Sequence, residues 1–525
     1  MFKKEAISEE GEPVLFRLNT ILQIPLIQIP EDKTKINIIY PLIDPFVSVR
    51  IYWDDNLKEV IYKIHEPELD ENERTVLGLI EEGIKELINI SLVNIKDEKV
   101  VIEYLEKSAR ILLTELRIRI SVDSFIKIMY YIYRDFIGLN DLEPLMRDPF
   151  IEDIECNGVG TPVYIVHRKL RNLKTNLTFT SIPYLAGLVE KIAQRCGKYV
   201  SYANPLLDGS LPDGSRVNSI YTQDISTKGP TITIRKFTKD PWTPTKLMKN
   251  KTISPEMLAY IWILLENESN IMVIGGTGSG KTSILNAIAF FIPPPARIVS
   301  IEDTHELQLM HENWLPNVTR EATSGFGGAA RQGEVSLFDL LKESFRQRPD
   351  YVIVGEIRGA EASVLFQGMA SGHSCLGTMH AEDVVTMIRR LETPPISLSP
   401  TLVDSLDVVC IMSQVKIKDE PARRVTAIVE ILNVSEEKGK AATNTAFVWN
   451  PSNDKFLFKT DLKVFDKIIQ QKGITKEQLM KEFQTRVKLL IEMYKRNILE
   501  ITEVHGIINE YYKNPQGVLK RLNII

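Results

Sequence analysis

The chain has 525 residues, 44% of them hydrophobic and 25% charged, and carries a net charge of −5. That length exceeds one ordinary core and predicts about two to four domains, while the mildly acidic balance argues against a bulk electrostatic grip on nucleic acid. Met1-Phe-Lys-Lys runs into acidic residues rather than an apolar leader, and no run of about 18 apolar residues predicts a spanning helix.

Short β-branched and aromatic runs at Ile36–Pro41, Val47–Trp53 and Val60–Ile64 predict strands of a small N-terminal sheet. Helical apolar spacing follows over Glu71–Ile88, Val101–Ile118 and Ser121–Phe136. The last of these carries Lys127, Tyr130, Tyr131, Tyr133 and Arg134. It reads either as bundle core with a solvated rim or as a basic, aromatic face for a membrane or another protein. These segments make up an N-terminal region over residues 1–137.

An α+β module is expected over 138–238. Its marks are the Asn157-Gly158 turn, a strand at Val163–His167, a helix at Ile182–Gly197, and strands around Leu211-Pro-Asp-Gly-Ser-Arg-Val-Asn218 and Thr231–Phe237. Asp240-Pro-Trp-Thr-Pro244 predicts a linker over 239–250. From 251 to 460 strand and helix alternate. Strands are expected at Met272–Gly275, Ile298–Ile301, Tyr351–Val354, Cys375–Met379 and Val408–Met412, with helices at Ser283–Phe291, Leu337–Arg346, Ala360–Ser371 and Val384–Leu391. Such alternation predicts a mostly parallel sheet covered on both faces. The glycine-bearing stretch 319–333 reads as a mobile loop, and 461–525 as a helical subdomain, notably over Thr475–Asn497. Cys156, Cys196, Cys375 and Cys410 are far apart with no C-x-x-C pair, so neither a zinc site nor a disulfide framework is indicated.

Four constellations carry chemistry. Gly275-Gly276-Thr277-Gly278-Ser279-Gly280-Lys281-Thr282-Ser283 fits the P-loop pattern G-x-x-x-x-G-K-[ST] between a strand and a helix. Glycines let backbone N–H groups turn around a phosphate, and the helix N-terminus adds partial positive charge. Lys281 then serves the β- and γ-phosphates of ATP, and the Thr282 hydroxyl serves Mg²⁺. A second apolar strand ends in Glu302-Asp303-Thr-His-Glu306, where carboxylates can support the metal or polarise a water. A third, Tyr351-Val-Ile-Val-Gly-Glu356, has the Walker B form, with Glu356 placed to hold Mg²⁺ through its water shell. The fourth, Gly372-His…Gly-Thr-Met-His380, delivers His380 to the same edge as a γ-phosphate sensor.

These motifs, with Leu211–Asn218, Thr233–Phe237, Arg346–Arg358 and Arg423-Arg-Val425, occur in an order that resembles the secretion ATPase superfamily of type II secretion, type IV pili and the archaellum. The resemblance covers about 205–435. It implies an α/β chain with a RecA-like P-loop NTPase motor domain, preceded by an α+β domain and an N-terminal strand-plus-helix region. It also implies a hexameric ring and a cytoplasmic ATPase that works on a polytopic membrane platform protein, and on pilin-like subunits indirectly. By resemblance Glu306 is the water-activating base, Glu302 and Asp303 support the metal, and Arg216 and Arg235 reach the γ-phosphate. The four-cysteine zinc module found in many bacterial type II members has no counterpart here, which favours the archaeal branch. The alternatives are a conjugation or DNA-uptake ATPase of the same superfamily, or a nucleotide-gated scaffold without turnover.

Overall fold

The computed structural model describes residues 16–20, 29–87, 98–237, 241–320, 333–417, 420–435, 437, 440–459 and 461–524. The chain divides into two compact units, Met1–Thr238 and Lys239–Ile525, and each is organised by one large sheet.

Among the described residues of the first unit, ten strands run in chain order as β1 (Asn19–Thr20), β2 (Asn37–Asp44), β3 (Val47–Asp54), β4 (Glu59–His65), β5 (Ile151–Cys156), β6 (Pro162–His167), β7 (Arg171–Thr178), β8 (Leu206–Ser210), β9 (Arg216–Ile220) and β10 (Thr231–Arg235). In space the order is β1-β2-β3-β4-β7-β6-β5-β10-β9-β8. The expected small N-terminal sheet is therefore not separate. It continues into the following module through the parallel pair β4–β7, at Ile61↔Lys174 and Tyr62↔Thr175. Buried polar groups explain the join. Tyr40 and Tyr62 both donate to Oδ2 of Asp148 at 2.5 Å, and Asn176 bonds both the N–H and the C=O of Ile64. Asp148 is fully buried, so separating the two parts would strand its carboxylate.

The helices Glu71–Leu87, Glu98–Glu115 and Val122–Ile132 share the core of this unit. Ser121 caps the third, accepting from the N–H of Ser124. Its aromatic residues face inward. Tyr130 and Tyr133 are buried, Tyr130 donates to Glu66 at 2.6 Å and Tyr131 to the carbonyl of Pro67 at 2.6 Å. Arg134 is buried against Glu66, Asp135 and Asp141. Of the two readings of this helix, the bundle core is the one realised, because its charge is neutralised from within.

The described strands of the second unit are β11 (Ile271–Gly275), β12 (Ile298–Glu302), β13 (Trp314–Val318), β14 (Tyr351–Ile357), β15 (Ser374–Met379), β16 (Val408–Ile417), β17 (Glu420–Val434), β18 (Ala441–Asn450) and β19 (Lys455–Phe458). Their order is β13-β12-β14-β15-β11-β16-β17-β18-β19. All neighbours from β13 to β16 are parallel, and β17 to β19 add an antiparallel meander. This is the RecA-like α/β arrangement, with the P-loop strand central. Along β11, Ile271 and Val273 pack into one core and Met272 and Ile274 into the other. A period of two with every residue buried is what a strand covered on both faces requires.

One face is covered by Pro255–Glu266 and Lys281–Ala289 together with the C-terminal helices Lys463–Lys472, Lys476–Lys495 and Ile501–Lys513. Trp262 is fully buried there, stacked on Phe291 at 4.8 Å with the Arg486 guanidinium over its ring. Glu361–Ala370 and Val384–Glu392 cover the other face. Within the expected linker, Pro244–Lys249 is helical and capped by Thr243. The expected mobile loop lies outside the described residues over 321–332, and its flanks meet through reciprocal backbone bonds between Arg320 and Val335. No described helix is long and apolar enough to cross a membrane.

Candidate functional site

Parallel strands deliver their C-terminal ends to one edge, and here β11, β12, β14 and β15 end in Gly275, Glu302, the Glu356 segment and Met379-His380. The loop 276–280 leaves β11 at that edge and opens the helix Lys281–Ala289. Two glycines make its path possible. A Cβ on Gly275 would lie 2.3 Å from the carbonyl oxygen of Met412. Gly280, the residue before the helix, has φ +95°, in the left-handed region. Gly276, Thr277 and Gly278 form the exposed crest, Ser279 is buried with its hydroxyl on the Gly276 carbonyl at 2.8 Å, and Thr282 and Ser283 are half-buried in the first turn.

Lys281 is buried and donates to the Gly276 carbonyl at 3.0 Å; its Nζ also lies 3.3 Å from Nδ1 of His380. An ammonium has only hydrogens to give, so Nδ1 accepts and the ring hydrogen sits on Nε2. Nε2 in turn lies 2.8 Å from Oε1 of Glu356. Glu356 also holds Arg358 at 2.5 Å, and Arg358 lies 3.5 Å from Asp303. A continuous chain thus runs Lys281–His380–Glu356–Arg358–Asp303. Burial pulls the Lys281 amine below its ordinary pKa, against the raising pull of Glu356 and Glu306. Burial and then Lys281 lower His380, which keeps the imidazole neutral near pH 7, as its acceptor role requires. The hydrogen bond to Glu356 raises Arg358.

Glu302 has a different task. It is buried, and its Oε1 accepts the backbone N–H groups of Glu306 at 3.0 Å and Leu307 at 2.9 Å. Its other oxygen lies 3.4 Å from Nδ1 of His305, whose pKa it raises through that hydrogen bond. The carboxylate therefore fixes the turn 303–307, leaving Glu306 exposed at the edge. Asn286 holds the next step, accepting the N–H of Gln308 at 2.9 Å from inside the P-loop helix. Sequence reasoning gave Asn286 and Arg358 no role; both are legible only once the strand ends are adjacent.

Arg216 and Arg235 belong to the first unit. They are directly paired across β9 and β10, so they share a face of that sheet. Arg235 is tethered to Asp153 at 3.1 Å.

The donor set fits Mg²⁺ in the manner of phosphate sites. Among the described residues no three His, Cys, Asp or Glu side chains converge into a protein-only metal cage. Mg²⁺ prefers a hydroxyl, phosphate oxygens and retained waters with few carboxylates. Thr282 would offer the hydroxyl, and Glu356, on β14 with β15 between it and β11, would offer the carboxylate.

Comparison with known proteins adds four findings. A family model described as "Type II/IV secretion system protein" matches residues 163–452. An uncharacterized protein of Methanocaldococcus jannaschii, MJ0900, is 40% identical over 401 residues, which is 76% of this chain and 72% of that protein. The type IV secretion system protein PtlH of Bordetella pertussis is 30% identical over 233 residues, 40% of this chain and 67% of its own length. Among solved structures, the ATPase DotB of Legionella pneumophila aligns over 72% of this chain and 95% of its own at 16% identity, with a TM-score of 0.40, a likeness too loose to bear on function.

Proposed function

The chain belongs to the type II/IV secretion system protein family, and from that premise we propose that it is a Mg²⁺-dependent ATPase powering assembly of a pilus-like filament, an archaellum or a secreted fibre through a membrane platform protein. The observation that carries this reading is the Lys281 amine, held in a glycine cradle and linked through His380 to Glu356 at the meeting point of four parallel strand ends.

The loop N–H groups and Lys281 bind the phosphate chain of ATP. Lys281 exchanges its bond to the Gly276 carbonyl for an anionic phosphate oxygen, so that both partners of the bond are charged. Thr282 and, through water, Glu356 would hold Mg²⁺, which would supply charge to offset that developing on the phosphates. Glu306 takes the proton of the attacking water, and Glu302 keeps it in place by its grip on the turn. His380, neutral and anchored by Glu356, reports the terminal phosphate through its contact with Lys281. Arg216 and Arg235, as the family resemblance implies, add positive charge for the terminal phosphate within a homo-hexameric ring. Closure on ATP and release after hydrolysis then move one unit against the other.

PtlH favours a second reading for the machine served, export through a type IV secretion channel, with the same chemistry. Deleting the gene separates the two: loss of surface filaments supports the first, and intact filaments with lost export the second. The chemistry itself is tested by phosphate release from purified protein. Wild type should hydrolyse ATP only with Mg²⁺, and Lys281→Ala should lose turnover and ADP binding together. Undiminished release by that variant would place the active site elsewhere, and a wild type that binds ATP without turnover is a scaffold.

A further inference from the structure

The P-loop has two unlike flanks. On one side of β11 lie β15, β14 and β12, whose ends carry His380, Glu356, Glu302 and Glu306. On the other lie β16 and β17, where a Cβ placed on Gly280 would meet Cδ of Arg423 at 3.3 Å and Cε of Met412 at 3.5 Å. Arg423 and Arg424 are consecutive on β17 and so face opposite ways. Arg424 is buried and fully engaged, with Asp454 at 2.8 and 3.0 Å and the carbonyls of Asn250 and Arg423. Arg423 is exposed, and among the described residues no carboxylate lies within ion-pair reach of it. An exposed arginine whose side chain passes a P-loop glycine, on the flank of β11 opposite the acidic strand ends, is suited to neither water activation nor metal binding.

We infer that Arg423 binds the nucleoside end of the nucleotide, its guanidinium pairing with the α-phosphate while Met412 packs beside it. The inference rests on the nucleotide-site reading above and adds polarity to it: the terminal phosphate points to the β15–β14–β12 flank, and the nucleoside to the β16–β17 flank. Arg423 is then an affinity residue common to ATP and ADP, with no part in the chemical step.

The test compares ADP with inorganic phosphate, which lacks both the nucleoside and a second phosphate and fills only the Lys281 position, by calorimetry in the full-length protein with Mg²⁺. Arg423→Ala should weaken ADP about tenfold, the loss of one charge-assisted contact, and leave inorganic phosphate affinity and kcat at saturating ATP unchanged. Arg423→Lys should recover most of the ADP affinity, since charge is what the α-phosphate needs. Lys281→Ala should weaken both ligands. Equal loss of both in Arg423→Ala, loss of neither, or a fall in kcat would overturn the inference. Wild type failing to bind either ligand would instead sink the nucleotide-site reading, so the two failures are distinct.

Discussion

Glu306 and Glu302 are four residues apart and chemically alike, yet the structure divides their labour. Glu302 is consumed by two backbone N–H bonds inside the fold, and Glu306 stands exposed at the edge where the strands end. Removing charge from each should therefore read out differently. Glu306→Gln should bind ADP as wild type does and slow phosphate release by about 10²–10⁴, the usual worth of a general base; an unaltered kcat would remove Glu306 from that role. The acidic box was legible as a cluster after a buried strand. Which acid faces inward was not, because that depends on whose N–H groups the chain folds back to offer.

At the scale of elements, the union of β11 with β16 is the tightest constraint on the P-loop. Gly275 sits opposite Met412 in register, with no space for a methyl group against the Met412 carbonyl. Gly275→Ala should cost about 1–3 kcal/mol through forced displacement of the strand, seen as a lower urea midpoint with unchanged slope; an unmoved midpoint would mean the pair slides apart without cost. The βαβ core was legible because apolar runs and helical spacing alternate plainly from Ile271 to Met412. The meander was less so. β17 mixes Arg423, Arg424 and Glu430 into its apolar run, and two of these charges are buried against partners elsewhere: Arg424 on Asp454, and Glu430 on Tyr260 and Asn444. The fusion of the two halves of the first sheet was equally hidden, since Asp148 meets Tyr62 and Tyr40 across 86 and 108 residues.

For the whole molecule, the proposal requires both units to complete one reaction. Arg216→Ala should retain ADP binding and lose turnover by about 10³ or more, the scale of an arginine that offsets transition-state charge in other nucleotide hydrolases. Phosphate release at the wild-type rate would show that the second unit works alone. The C-terminal helices belong to this scale too. Leu489, Leu490 and Met493 are wholly buried in the same core as the P-loop helix, so the tail is part of the second unit's core.

The continuity of the first sheet has a mechanical consequence. Its N-terminal strands occupy one margin, while β9 and β10, bearing Arg216 and Arg235, lie near the other. The two margins are joined through the β4–β7 seam at Ile61↔Lys174 and Tyr62↔Thr175, so any displacement of β2 or β3 passes through that seam before it reaches the guanidinium pair.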